Sequence, residues 1–267
     1  MLGKLMKYEW KATARLFLPF YGTVLLFALI NRLFFQLGGS NITGILALPA
    51  GFSMVIYIMA IIATFVLTVA VMIQRFYKNL LGDEGYLMFT LPVKPEAHIL
   101  AKLLVSAAWI VISVITVILS LIAMLAQRGF YAEVLKAVDA FSKWDAPFNK
   151  GVMLTWFVIT MIVSLFAGIL IIYASVALGQ LFSRHKLAAS FGAFIVINIA
   201  SQVLSGILLA ICYAVDPQAF AVNAANTIPS SAFLNTVFWG SLVLNIIMGI
   251  GCYIITHVIL NRKLNLE

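Results

Sequence analysis

The chain reads as all-α, a polytopic membrane protein with six transmembrane helices and an amphipathic amino-terminal interfacial helix. Three observations predict this class. Of 267 residues 64% are apolar, only 10% are charged, and the apolar residues gather into six long runs. A soluble domain carries about 25% charged residues, so a water-facing surface cannot be built from this composition. The runs lie at about 17–37, 48–73, 99–125, 152–181, 187–214 and 232–260, and a helix needs about 20 apolar residues to cross a bilayer. Hydrocarbon offers backbone amides no partner, so each run must be a helix. Six spans with short connections use nearly the whole chain, which reads as a single membrane domain over 1–267 without a catalytic appendage.

Residues 1–16 precede the first span. Lys4, Lys7, Lys11 and Arg15 recur there at helical spacing, while Leu2, Leu5, Met6 and Trp10 fall largely on other faces. This pattern reads as a helix lying on the inner leaflet with its lysines against anionic headgroups, in preference to a mere basic topogenic flank. The first run is span-length and has no small-residue cleavage pattern after it, so it reads as a retained helix and not as a signal peptide.

Orientation follows from the basic residues. With the amino terminus inside, Lys4, Lys7, Lys11, Arg15, Arg75, Lys78, Lys94, Lys102, Arg184, Lys186, Arg262 and Lys263 fall on the inner side. Arg32, Arg128, Lys136, Lys143 and Lys150 fall on the outer one, which is twelve against five of the 17 basic residues. The positive-inside rule then places both termini in the cytoplasm. The formal charge of +8 therefore reports topology, not nucleic-acid binding, because the cations sit at helix ends and form no aromatic-interleaved patch.

Outside, 38–47 is a short uncharged hairpin connection. In 127–150, Val134, Leu135, Val138 and Phe141 recur with helical period between Glu133, Lys136, Asp139 and Lys143, which predicts a short helix resting on the outer surface. In 215–231, Asp216-Pro217 suits a helix start. Trp144, Trp156 and Trp239 fall near the outer boundary, where amphipathic rings anchor. Trp109 lies deeper and reads as helix packing.

Between spans two and three, residues 74–98 combine turn chemistry, charge and exposed apolar side chains. Gly82 and Gly85 bracket Asp83 and Glu84, which suits a helix start with carboxylates at its amino end. Tyr86, Leu87, Phe89 and Leu91 follow before Pro92. Apolar side chains in an inner loop are buried either on the membrane or in a partner. The negative leaflet repels Asp83 and Glu84, whereas a partner's groove can pair them with Arg or Lys.

With this loop (GDEGYLMFTLPV, 82–93), its flanking Arg75, Lys78 and Pro95, six spans and inner termini, the chain resembles the permease subunits of type-2 ABC exporters, especially small six-span bacterial permeases. The resemblance implies a place in the bacterial plasma membrane and a coupling loop over 74–98 in which Asp83, Glu84, Tyr86, Leu87 and Phe89 meet an ABC ATP-binding subunit. It further implies that ATP and Mg belong to that partner, that 4–15 correspond to a connecting helix, and that a second permease copy or paralogue completes the assembly.

Two helices carry polar stripes. Asn198, Ser201, Gln202 and Ser205 in span five fall within an arc of roughly 100°, and Ser53, Tyr57, Thr64 and Thr68 in span two within roughly 60°. Such groups are costly in hydrocarbon unless they are paired or face water. They serve either as hydrogen-bonding glue between helices or as the lining of a substrate path or dimer seam, the role that the resembled family gives to these two spans. The central parts of these spans hold no Asp, Glu, Lys or Arg, which counts against a proton- or sodium-coupled carrier.

No nucleotide, metal or hydrolase chemistry is encoded. The single Gly-Lys pair, Gly3-Lys4, is followed by Leu5, not by Ser or Thr. His98, His185 and His257 are scattered, and Cys212 and Cys252 offer no zinc spacing. No GxSxG elbow is present. The expected function is that of a membrane-spanning exporter subunit, not an enzyme, moving a peptide or an amphipathic, lipid-like compound outward. The rivals are an ATP-independent channel or carrier and a peptide-binding immunity protein.

Overall fold

A computed structural model describes residues 2–38, 47–81, 95–126, 130–143, 149–182, 184–215, 217 and 231–262. Among these are seven α-helices: α1 (Leu2–Gly38), α2 (Ala47–Phe76), α3 (Pro95–Leu125), α4 (Phe130–Lys143), α5 (Lys150–Gly179), α6 (Lys186–Val215) and α7 (Ser231–Arg262). All but α4 are long and apolar enough to cross a membrane. The chain is a multi-pass membrane protein, and its many exposed leucines, isoleucines and valines are the surface that lipid solvates.

Span ends match the sequence reading to within a few residues, except at the amino end. There the basic stretch and the first span form one unbroken helix of 37 residues running through Pro19. Good helix formers (Leu, Lys, Met, Ala) fill its start, and its buried positions Glu9, Thr13, Phe17, Tyr21, Val24, Ala28 and Asn31 recur every three or four residues. One apolar and polar face therefore continues from end to end. Lys4, Lys7, Lys11 and Arg15 are exposed on the same helix.

The chain divides into two compact units. The first joins Met1–Gln74 to Leu100–Trp144, and the second joins Arg75–Ile99 to Asp145–Glu267. In the first unit, α1 and α3 run parallel and α2 runs antiparallel to both, an order fixed by successive contacts along their lengths. Phe17, Tyr21, Val71, Val105 and Trp109 form one core cluster, and Val24, Ala28, Tyr57 and Met124 form another.

In the second unit α5 packs against both α6 and α7. Asn149 caps α5 by accepting from the amides of Gly151 and Val152 at 3.0 and 3.4 Å. Trp156 and Trp239 meet at 4.1 Å near the amino ends of α5 and α7, so these two helices run parallel. Gly179 lets α5 approach the start of α6, because a Cβ there would stand 2.7 Å from the Ser190 amide nitrogen and 2.8 Å from the Lys186 carbonyl. Gly179→Ala is therefore expected to destabilise by about 1–3 kcal/mol. Gly168→Ala, on the same helix with open space at the added Cβ, should be neutral or gain up to about 1 kcal/mol. Unfolding of both variants in mixed micelles compares them.

Candidate functional site

Residue by residue, the two polar stripes have different surroundings. On α2, Tyr57 is buried and its hydroxyl lies 2.9 Å from Ser120 Oγ on α3. Thr68, also buried, donates to the Thr64 carbonyl at 2.7 Å and lies 3.1 Å from Ser113 Oγ. Thr64 donates to the Ala60 carbonyl at 2.8 Å. The Ser53 carbonyl accepts from Asn31 Nδ2 of α1 at 3.2 Å, while Ser53 Oγ is buried without a hydrogen-bond partner. The α2 stripe thus spends its polar groups inside the first unit.

The α6 stripe is different. None of the α6 residues is buried; Asn198, Ser201 and Ser205 are half-buried and Gln202 is exposed. Asn198 donates to the Phe194 carbonyl, Ser201 to that of Asn198 and Ser205 to that of Gln202, each at 2.8 Å. Such back-bonding satisfies donors within the helix and leaves the side-chain oxygens with accepting capacity to spare. On a span-length helix those oxygens need a protein or water neighbour.

The face that the sequence reading passed over is on α3. Lys102, Trp109, Ser113, Thr116 and Ser120 are all buried. At 100° per residue they fall within an arc of roughly 60°, and from first to last they rise about 27 Å, close to the hydrocarbon thickness. Each but Thr116 meets a named partner on α1 or α2. Lys102 Nζ lies 2.5 Å from Glu9 Oε1, with side chains only 4% and 11% exposed. Trp109 Nε1 donates to Thr13 Oγ1 at 2.8 Å, and Thr13 donates to the Glu9 carbonyl at 2.8 Å. Ser113 Oγ lies 2.9 Å from the Tyr21 hydroxyl and 3.1 Å from Thr68 Oγ1.

The spacing of seven, four, three and four residues along α3 was the available signal, and it is tighter than the α6 stripe. Trp109 masked it, since a tryptophan reads as apolar until its N–H is counted. Trp10 stacks on Trp109 at 4.5 Å. Lys102, which the sequence reading counts among the inner topogenic charges, pairs with Glu9.

The connection between α2 and α3 has its ends in the second unit. Past Phe76 the helix widens into a single π turn, Tyr77–Leu81, a feature frequent at functional sites. Phe76 is fully buried and stacks on Tyr173 of α5 at 4.1 Å and 9°. At the far end Glu96, in the first turn of α3, approaches His257 Nε2 of α7 at 3.5 Å. Asp83, Glu84, Tyr86, Leu87 and Phe89 lie outside the described residues, as do Trp144, Asp216 and the connection 218–230.

Compared with protein-family models, curated proteins and solved structures, the chain matches none. Among the described residues no group of three or more His, Cys, Asp or Glu could hold a metal ion. Its function must be argued from its own residues.

Proposed function

We propose that this chain is the membrane-spanning permease subunit of an ATP-driven exporter in a bacterial plasma membrane, with both termini cytoplasmic. Loop 82–94 docks on a separate ATP-hydrolysing subunit, and a second permease copy or paralogue covers the α6 stripe. One observation carries the reading: the helix ends that flank the loop, at Phe76 and Glu96, meet α5 and α7, whereas the bodies of the same helices, α2 and α3, belong to the other unit. A push on the loop would reach both units at once.

In this mechanism nucleotide binding closes the ATPase pair and displaces 82–94. The motion loads Phe76 on Tyr173 and Glu96 on His257, and through the chain it loads α2 and α3. The π turn at Tyr77–Leu81 gives the connector a place to rotate. Nucleotide shifts the inward–outward equilibrium only as far as it binds the two states unequally. The rigid α1–α2–α3 polar face moves as a body, and the α6 stripe lines the seam or path where an amphipathic peptide or lipid-like compound leaves.

Copurification from mild detergent tests the reading. The native chain is expected to retain an ATP-binding subunit, and Asp83→Lys with Glu84→Lys is expected to lose it while thermal stability holds. Unaltered retention removes these carboxylates from docking. Ion currents from the chain alone would instead favour the channel, and tight peptide binding without ATPase stimulation the immunity protein.

A further inference from the structure

Helix α4 takes no part in that mechanism. None of its residues is buried; Tyr131, Leu135 and Val138 are 66%, 68% and 59% exposed, and Val134 stands beside them. These four fall within an arc of roughly 100° on the helix surface. Glu133, Lys136, Asp139 and Lys143 occupy the opposite side and neutralise one another, with Lys136 Nζ 2.9 Å from Glu133 Oε1 and Lys143 Nζ 2.6 Å from Asp139 Oδ2. The helix therefore has an uncovered apolar face and no net side-chain charge.

Chain length decides what covers that face. Only residues 126–129 separate α4 from the end of α3, and only 144–149 separate it from the start of α5. At about 3.3–3.6 Å per residue, α4 is tethered within about 20 Å of two span ends. Span ends lie at the edge of the hydrocarbon. An amphipathic helix so placed can bury its apolar face among lipid glycerols and upper acyl chains.

We propose that α4 is an inserted interfacial helix whose ligand is the phospholipid boundary itself, held by apolar partition and indifferent to headgroup charge. The start of α1 has the opposite character. Lys4, Lys7, Lys11 and Arg15 are exposed there, while the one acid among them, Glu9, is buried against Lys102. Its attraction to a membrane surface is electrostatic and rises with anionic lipid. The α4 inference does not rest on the exporter reading.

The full chain in lipid nanodiscs, with Cys212→Ser and Cys252→Ala, provides the test. A nitroxide is placed singly at 131, 134, 135 and 138, and at 133, 136 and 140, and its collisions with oxygen and with a water-soluble nickel complex are measured. The oxygen-to-nickel ratio is expected to be several-fold higher at the first set, and to stay so when phosphatidylcholine is replaced by phosphatidylglycerol up to half. Equal nickel access at both sets, a contrast that needs phosphatidylglycerol, or spin–spin broadening between copies at the first set overturns the proposal; the last means that a second copy of the chain covers the face. In the unsubstituted chain, a photoreactive phosphatidylcholine should leave adducts on residues 131–138, and their absence overturns it equally.

Discussion

Lys102→Met is expected to cost about 3–5 kcal/mol of stability, because it removes the cation that Glu9 faces in a site nearly closed to solvent. Breaking a buried pair from one side is costly; replacing both members is not. The double variant Glu9→Gln with Lys102→Met should therefore recover most of the loss, leaving two uncharged side chains of similar bulk between α1 and α3. A coupling well above about 1 kcal/mol between the two substitutions follows, since the residues touch. Lys136→Met serves as the control: it also breaks an ion pair, but one with both side chains more than 70% exposed, and such pairs contribute about 0–1 kcal/mol. Equilibrium unfolding in mixed micelles of the full chain carrying Lys102→Met, Glu9→Gln, both together, or Lys136→Met gives all four values. A Lys102→Met cost no larger than that of Lys136→Met would mean that the pair is solvated or absent in the folded protein.

The pair also shows where sequence reasoning stops. The six spans were legible because their signal is one of composition and length, and hydrocarbon enforces helix on any run that passes both tests. The α4 helix was legible for a related reason: Val134, Leu135, Val138 and Phe141 alternate with charges at helical period. Glu9 and Lys102 could not be matched in the same way, since they stand 93 residues apart on different helices and each reads alone as an interfacial charge. The α2 stripe was visible, but whether Tyr57 and Thr68 face a path or a neighbour depends on Ser120 and Ser113 being opposite them. That is a matter of helix register, which periodicity within one helix does not contain. The separation of residues 75–99 from the bodies of the helices they join had no sequence signal either, since Phe76 and Tyr173 are two aromatics among many until they stack.

Trp109→Ala is expected to be the second costly change, and the bilayer sets its size. The indole stacks on Trp10 and on Phe17, each with ring centres 4.5 Å away, lies 6.2 Å from Tyr21, and donates its N–H to Thr13. Truncating a buried tryptophan in a water-soluble core costs about 3–5 kcal/mol, of which part is transfer from water and part the cavity left behind. Between membrane helices the transfer part shrinks, because lipid tails are as apolar as the core. What remains is lost dispersion and a void among rings that α1 and α3 cannot both close upon while Glu9–Lys102 and Tyr21–Ser113 hold their spacing on either side. The expected cost is thus nearer about 3 than about 5 kcal/mol. Trp109→Phe separates the contributions: it keeps an aromatic ring in the stack and removes the donor to Thr13, whose hydroxyl still bonds the Glu9 carbonyl, so a loss of about 0.5–1.5 kcal/mol is expected. If the two variants unfold alike in the mixed-micelle assay, the hydrogen bond and not the stack joins α1 to α3 at this level.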